Sequence, residues 1–168
     1  MMTGIPQGLI DFAHPWADLY SGSKVLPTVV TFAHVGGLLL SGGLAITADR
    51  VTLRLKTFDA PARAQHLADL ARTHRAVIAG LVVIALSGLL MLAADLETFL
   101  GSPVFWIKMT LVVALLANGY RMTRLERALR EGDASSGAGW NRLRSTAIVS
   151  LVLWFVITLA GVTLVNVA

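Results

Sequence analysis

The sequence predicts an all-α integral membrane protein, a four-helix bundle threaded up-down-up-down with both termini outward (N-out/C-out). Three observations carry this. The 168 residues are 55% hydrophobic and only 14% charged, with a mean hydropathy of +0.71, whereas a soluble domain carries more charge to solvate its surface. The apolar residues gather into four runs, Val25 to Thr47, Ala76 to Ala94, Val104 to Tyr120 and Thr146 to Val167. Each is close to the roughly 20 residues needed to cross hydrocarbon at 1.5 Å rise per residue. Finally, 12 of the 14 Lys and Arg lie in two stretches: Arg50, Arg54, Lys56, Arg63, Arg72 and Arg75 after the first run, and Arg121, Arg124, Arg127, Arg130, Arg142 and Arg144 after the third. Short basic loops stay cytoplasmic, so both stretches are expected inside. Lys24 and Lys108, with Asp11, Asp18, Asp95 and Glu97, fall on the outer side.

Residues 1–24 form an outer interfacial segment, and 25–168 the transmembrane domain. In the first segment Phe12, Trp16 and Tyr20 recur every four residues, as on one face of a short helix lying at the headgroups. Pro15 interrupts it. The segment lacks a basic start followed by an apolar core, so no cleavable signal peptide is expected. The first membrane helix continues past Arg50 toward Lys56. Asp59 before Ala60 and Pro61 caps the second helix, which enters the membrane through the amphipathic PARAQHLADLARTH. LETFLGSPVFW reads as an outer turn, with Ser102 capping and Pro103 starting the third helix. Trp106 joins an aromatic belt. The third helix runs inward through RMTRLERALRE to Gly132, GDASSGAG is a linker, and Trp140 marks re-entry.

Composition excludes several chemistries. Without cysteine there is no disulfide, iron–sulfur cluster or thiolate metal site. P-loop, nucleophile-elbow, Ser-His-Asp and dinucleotide signatures are absent. The net charge of +4 and pI of 10.1 follow from the inner basic loops and give no reason to expect nucleic-acid binding.

An ionisable group inside a membrane segment points to function, and His34 is the first. Its helical face contains Thr31, Gly37, Leu38, Ser41 and Ala45. These are mostly small, leaving room either for a neighbouring helix or for a flat ligand beside the imidazole. His34 is thus a candidate metal or haem ligand, or else a histidine hydrogen-bonded across the bundle to a Ser or Thr. His74, between Arg72 and Arg75, is a second candidate axial ligand near the inner face, where the arginines would meet haem propionates. His34 lies 11 residues before Ala45 and His74 two before Ala76. Nine residues of difference separate them by roughly 13 Å in depth, too far to share one iron. Met109, 11 residues before Tyr120, is nearer His34 in depth and is the third cofactor candidate. His14 is placed outside, where it could help bind a surface metal, and His66 is expected to be solvated. Structural ion pairs are expected for Lys108 with Asp95 or Glu97, and for Asp49, beside Arg50, with Arg72, Arg75 or Arg121. Asn118 is placed to bridge helices.

His34 through Arg50, the segment SGLLMLAADLETFLGSPVFWIKM and Asn118 after it resemble a group of bacterial four-helix membrane proteins similar to the membrane part of the copper-resistance protein D family. The matching features are the first-helix histidine, the small residues after it, the Asp-Arg close, the Ser-Gly of the second helix and the Phe-x-x-Lys of the third. The resemblance spans roughly residues 30 to 122. It implies copper import or haem-linked redox work, with His34 as the functional position and Asp49 and Lys108 as framework. The expectation is therefore a bacterial inner-membrane protein handling haem b or copper, with His34 as the intramembrane ligand. The alternative is a structural or accessory subunit without a cofactor, held in lipid as a homo-oligomer or beside other membrane subunits. A transporter is the weaker reading, since four such helices lack a polar cavity lining.

Overall fold

The computed structural model describes residues 6–55, 60–132 and 137–167. Among them it has six α-helices and no strand: α1 (Gln7–Ser21), α2 (Val25–Arg54), α3 (Ala60–Ala94), α4 (Leu96–Gly101), α5 (Pro103–Glu131) and α6 (Gly137–Val167). Of these, α2, α3, α5 and α6 are long and apolar enough to cross a membrane. Their outward faces carry the large hydrophobic side chains, such as Phe32 at 77% and Phe155 at 65% exposure, while Ser41, Thr52, Ser87, Asn118 and Ser150 are buried. In water that arrangement would leave an extended apolar surface uncovered. In lipid it costs nothing, and small or polar residues at helix contacts are what membrane bundles use.

Each long helix exceeds its apolar run at the basic end. There α3 begins sixteen residues before Ala76, an overhang of roughly 24 Å, and α5 continues from Arg121 to Glu131. The overhangs build a core of their own from Leu67, Leu70, Met122, Leu129, Trp140, Leu143 and Ala147. A second core, from Val77, Leu115, Trp154 and Ile157, lies within the apolar runs.

Contacts between long helices run in opposite senses along the chain. On α2 and α3, Gly37 faces Gly80 and Ile84, Ser41 faces Gly80, and Thr52 faces His66. On α2 and α6, Gly42 faces Trp154 and the Leu53 carbonyl accepts from Arg144 Nη2 at 2.8 Å. On α5 and α6, Asn118 Nδ2 donates to the Thr146 carbonyl at 2.9 Å, the expected bridge. Arg144 and Arg130, whose Nη2 donates to the Leu67 carbonyl, use long stems to tie one helix to a neighbour's backbone.

Several local expectations are corrected. LETFLG is the helix α4, opened by Asp95, whose carboxylate accepts from Thr98 N at 3.2 Å. Ser102 holds the cap position of α5 and Pro103 its first turn, but the serine side chain makes no capping bond. The last residues of GDASSGAG belong to α6. The proposed Asp59 cap, and Lys56, lie outside the described residues. Pro15 sits inside a continuous α1. That helix is fastened to α3 by Trp16, whose indole Nε1 donates to the Leu90 carbonyl at 2.8 Å. Trp106 Nε1 donates to the Leu100 carbonyl at 3.0 Å, with the ring outward.

Candidate functional site

Two polar places lie within the bundle. The first surrounds His34, half-buried on α2. Its Nδ1 is 3.0 Å from Ser87 Oγ on α3. The Ser87 hydroxyl has a single proton, and it lies 2.7 Å from the Val83 carbonyl and 3.1 Å from that of Ile84. With that proton given to its own helix, Ser87 accepts from His34 Nδ1–H. The Ile84 carbonyl is a second acceptor near the ring. The imidazole is thereby held as the Nδ1–H tautomer, with its lone pair on Nε2. Gly88 makes the fit possible: a Cβ there would stand 3.2 Å from His34 Cε1. The cross-bundle hydrogen bond to a serine is thus formed, and in that tautomer the lone pair is on Nε2.

Lys108, on α5, lies within electrostatic range of His34. It turns away from the expected acids, since its Nζ is 3.7 Å from where a Cβ of Gly161 would sit on α6. Asp95 is occupied in capping α4, and no ion pair joins it to Lys108 among the described residues. Met109, half-buried, follows Lys108 on α5.

The second place is at the basic end. His74 Nδ1 stands 3.2 Å from Glu126 Oε2, an ion-pair distance out of hydrogen-bond alignment. Glu126 is 4% exposed and its Oε1 has no partner. Nearby, Asp49 is 2% exposed. It takes a hydrogen bond from Ser150 and feels the charges of His74 and Glu126, in place of the expected arginines. Arg50 is exposed. His66 is not solvated: it is buried, its Nε2 is 2.7 Å from Thr52 Oγ1, and its ring meets Trp140 edge-on. Arg63, 1% exposed, lays its guanidinium 4.5 Å above the same indole, a cation–π contact that partly replaces lost water. His14 stays at the surface, 3.1 Å from Asp18.

The structure keeps His34 and His74 apart. They meet α3 or sit on it thirteen residues apart, at Ser87 and at position 74. That is roughly 20 Å along the axis, more than the depth count from sequence. Among the described residues no three His, Asp or Glu side chains gather as a metal-ligand set, so any metal at His34 has at most two such donors there. Glu126 is the residue missed by sequence reading. It lies inside the charged run RLERALRE, which looks like a solvated face until α3 and α6 pack over it.

Comparison with protein-family models, curated protein sequences and solved structures found no match.

Proposed function

We propose that this chain is a multi-pass inner-membrane protein of a bacterium, crossing the bilayer four times up-down-up-down, N-out and C-out, with the basic loops cytoplasmic. Within it His34 serves as the intramembrane ligand of a haem b or copper ion used in redox or copper handling. One observation supports the ligand role: His34 Nδ1 lies 3.0 Å from Ser87 Oγ, whose own proton is directed at the Val83 carbonyl, so that an Nδ1–H donating to the serine would leave the Nε2 lone pair for a metal. Metal-ligating histidines are held in this way, the other ring nitrogen donating to a fixed acceptor. Met109, next to Lys108 on α5, is the second donor this reading prefers. His74, engaged with Glu126, is a separate group. The threading is supported by the opposed contacts of the four long helices and by the 12 basic residues at one end.

The test is an absorption spectrum, oxidised and reduced, with elemental analysis of gently solubilised protein. A Soret band or stoichiometric copper that disappears in His34→Ala, with helicity retained, supports the reading. A folded, colourless, metal-free wild type rejects it.

A second reading has its own observation. Gly36 and Gly43, seven residues apart on α2, have nothing within 4 Å of a built Cβ. Such glycine notches, set in an exposed apolar face with Leu39 and Leu40 between them, suit a helix of another subunit, as in an accessory subunit of a larger complex or a homo-oligomer. Co-purification of a stoichiometric membrane partner, lost in Gly36→Leu/Gly43→Leu, distinguishes it.

A further inference from the structure

At the basic end α5 and α6 line an open groove of about 550 Å³. Arg121 and Arg124 reach it from α5 and Arg142 from α6, with Asn141 and Ser145 beside them and Leu125 and Val149 as its apolar wall. None of the three arginines is ion-paired among the described residues. Among the described residues only Arg124 of the three has a ring neighbour, Tyr120, at 5.8 Å from its Cζ. The groove sits where the apolar run of α5 gives way at Tyr120 and that of α6 begins at Thr146, the level of the headgroups in a chain that spans lipid.

From this placement we infer that the groove is a binding site for the phosphate of an anionic phospholipid headgroup. Guanidinium groups grip phosphate through paired N–H donors, and three from two helices converge on one opening. Asn141 and Ser145 offer neutral hydrogen bonds to a headgroup's hydroxyl or ester oxygens. Leu125 and Val149 continue the apolar surface from which an acyl chain would approach. A free phosphate ion shares the anionic chemistry but needs neither the volume nor the apolar wall. The inference rests on membrane insertion and is independent of any cofactor at His34.

The experiment uses the full chain in phosphatidylcholine vesicles with and without phosphatidylglycerol, reading retained lipid by native mass spectrometry. Wild type is expected to retain phosphatidylglycerol in preference. Each arginine near an anionic headgroup is worth about five-fold, so Arg121→Gln/Arg142→Gln should lose about 25-fold of that preference. Arg142→Lys, which keeps charge but not the paired donors, should lose part of it. Arg127→Gln, an exposed arginine of α5 outside the groove, should lose none. Circular dichroism establishes that each variant is folded. An unchanged preference in the double variant, or an equal loss in Arg127→Gln, overturns the site. Displacement of the lipid by inorganic phosphate at matched concentration overturns its assignment to a lipid.

Discussion

Gly80→Ala tests the closest approach of α2 and α3. A Cβ at Gly80 would lie 1.9 Å from Ser41 Oγ, 3.3 Å from Ser41 Cβ and 3.5 Å from the Gly37 carbonyl oxygen. Ser41 is fully buried, and its hydroxyl has no hydrogen-bond partner. The serine therefore occupies the space the glycine leaves. On substitution the hydroxyl must swing to another staggered position, and the helices must part by a few tenths of an ångström to relieve the Cβ contact. Overpacking of this kind costs about 1–3 kcal/mol, equivalent to a fall in Tm of roughly 2–12 °C for a chain of this size. Ser41→Ala alone removes an unpartnered hydroxyl and should change Tm little. The double variant keeps only the 3.3 Å and 3.5 Å contacts, so it should recover most of the loss, with a coupling of about 1 kcal/mol or more. Thermal melts of detergent-solubilised protein by circular dichroism measure all four corners of the cycle. Additive single effects, or a Gly80→Ala protein as stable as wild type, would refute the proposed helix contact.

Other outcomes follow from the same geometry. His74→Ala removes the side chain 3.2 Å from the buried Glu126 carboxylate and should lower stability, whereas His74→Ala/Glu126→Leu should regain most of the loss; equal losses in denaturant titration would show the pair to be uncoupled. Ser87→Ala frees the His34 Nδ1 proton and should weaken cofactor affinity by about 10- to 100-fold, read by metal or haem titration; unchanged affinity would remove the serine from the site. Trp16→Phe deletes the hydrogen bond from α1 to the Leu90 carbonyl, worth about 1 kcal/mol, and should speed amide exchange in α1 but not in α3. Identical exchange in both proteins would mean that α1 is held by other contacts.

The four apolar helices were legible because lipid imposes length and composition on a segment, and those properties are written along the chain. The overhangs were less so. From Ala60 to His74 the apolar residues recur on one face, which marks a helix but not what it covers. Trp140, a boundary marker by position, is the centre of the core that those overhangs build. The candidate site was half visible. His34 stands out because an imidazole is rare in such a run, and a Ser or Thr partner was foreseeable in kind. Its partner being Ser87, 53 residues away, depends on the α2–α3 register. The same holds for Asp49, which found a hydroxyl on α6 before any arginine. Lys108 shows the limit of counting charges: two acids lay near in sequence, but one was needed to cap α4 and the lysine stem ran along α6.

The overhangs make the two ends of the molecule unequal. At the end away from the arginines α3 stops at Ala94 and α5 starts at Pro103, close to the limits of their apolar runs. At the other end Leu67, Trp140 and Leu143 pack against protein alone. A thinner bilayer should consequently loosen the turns around Ala94 and Pro103 first, while the arginine-bearing end keeps its shape as a rigid plinth. Whatever docks at the arginine-bearing end would then meet a preformed surface whose geometry does not track the membrane beneath it.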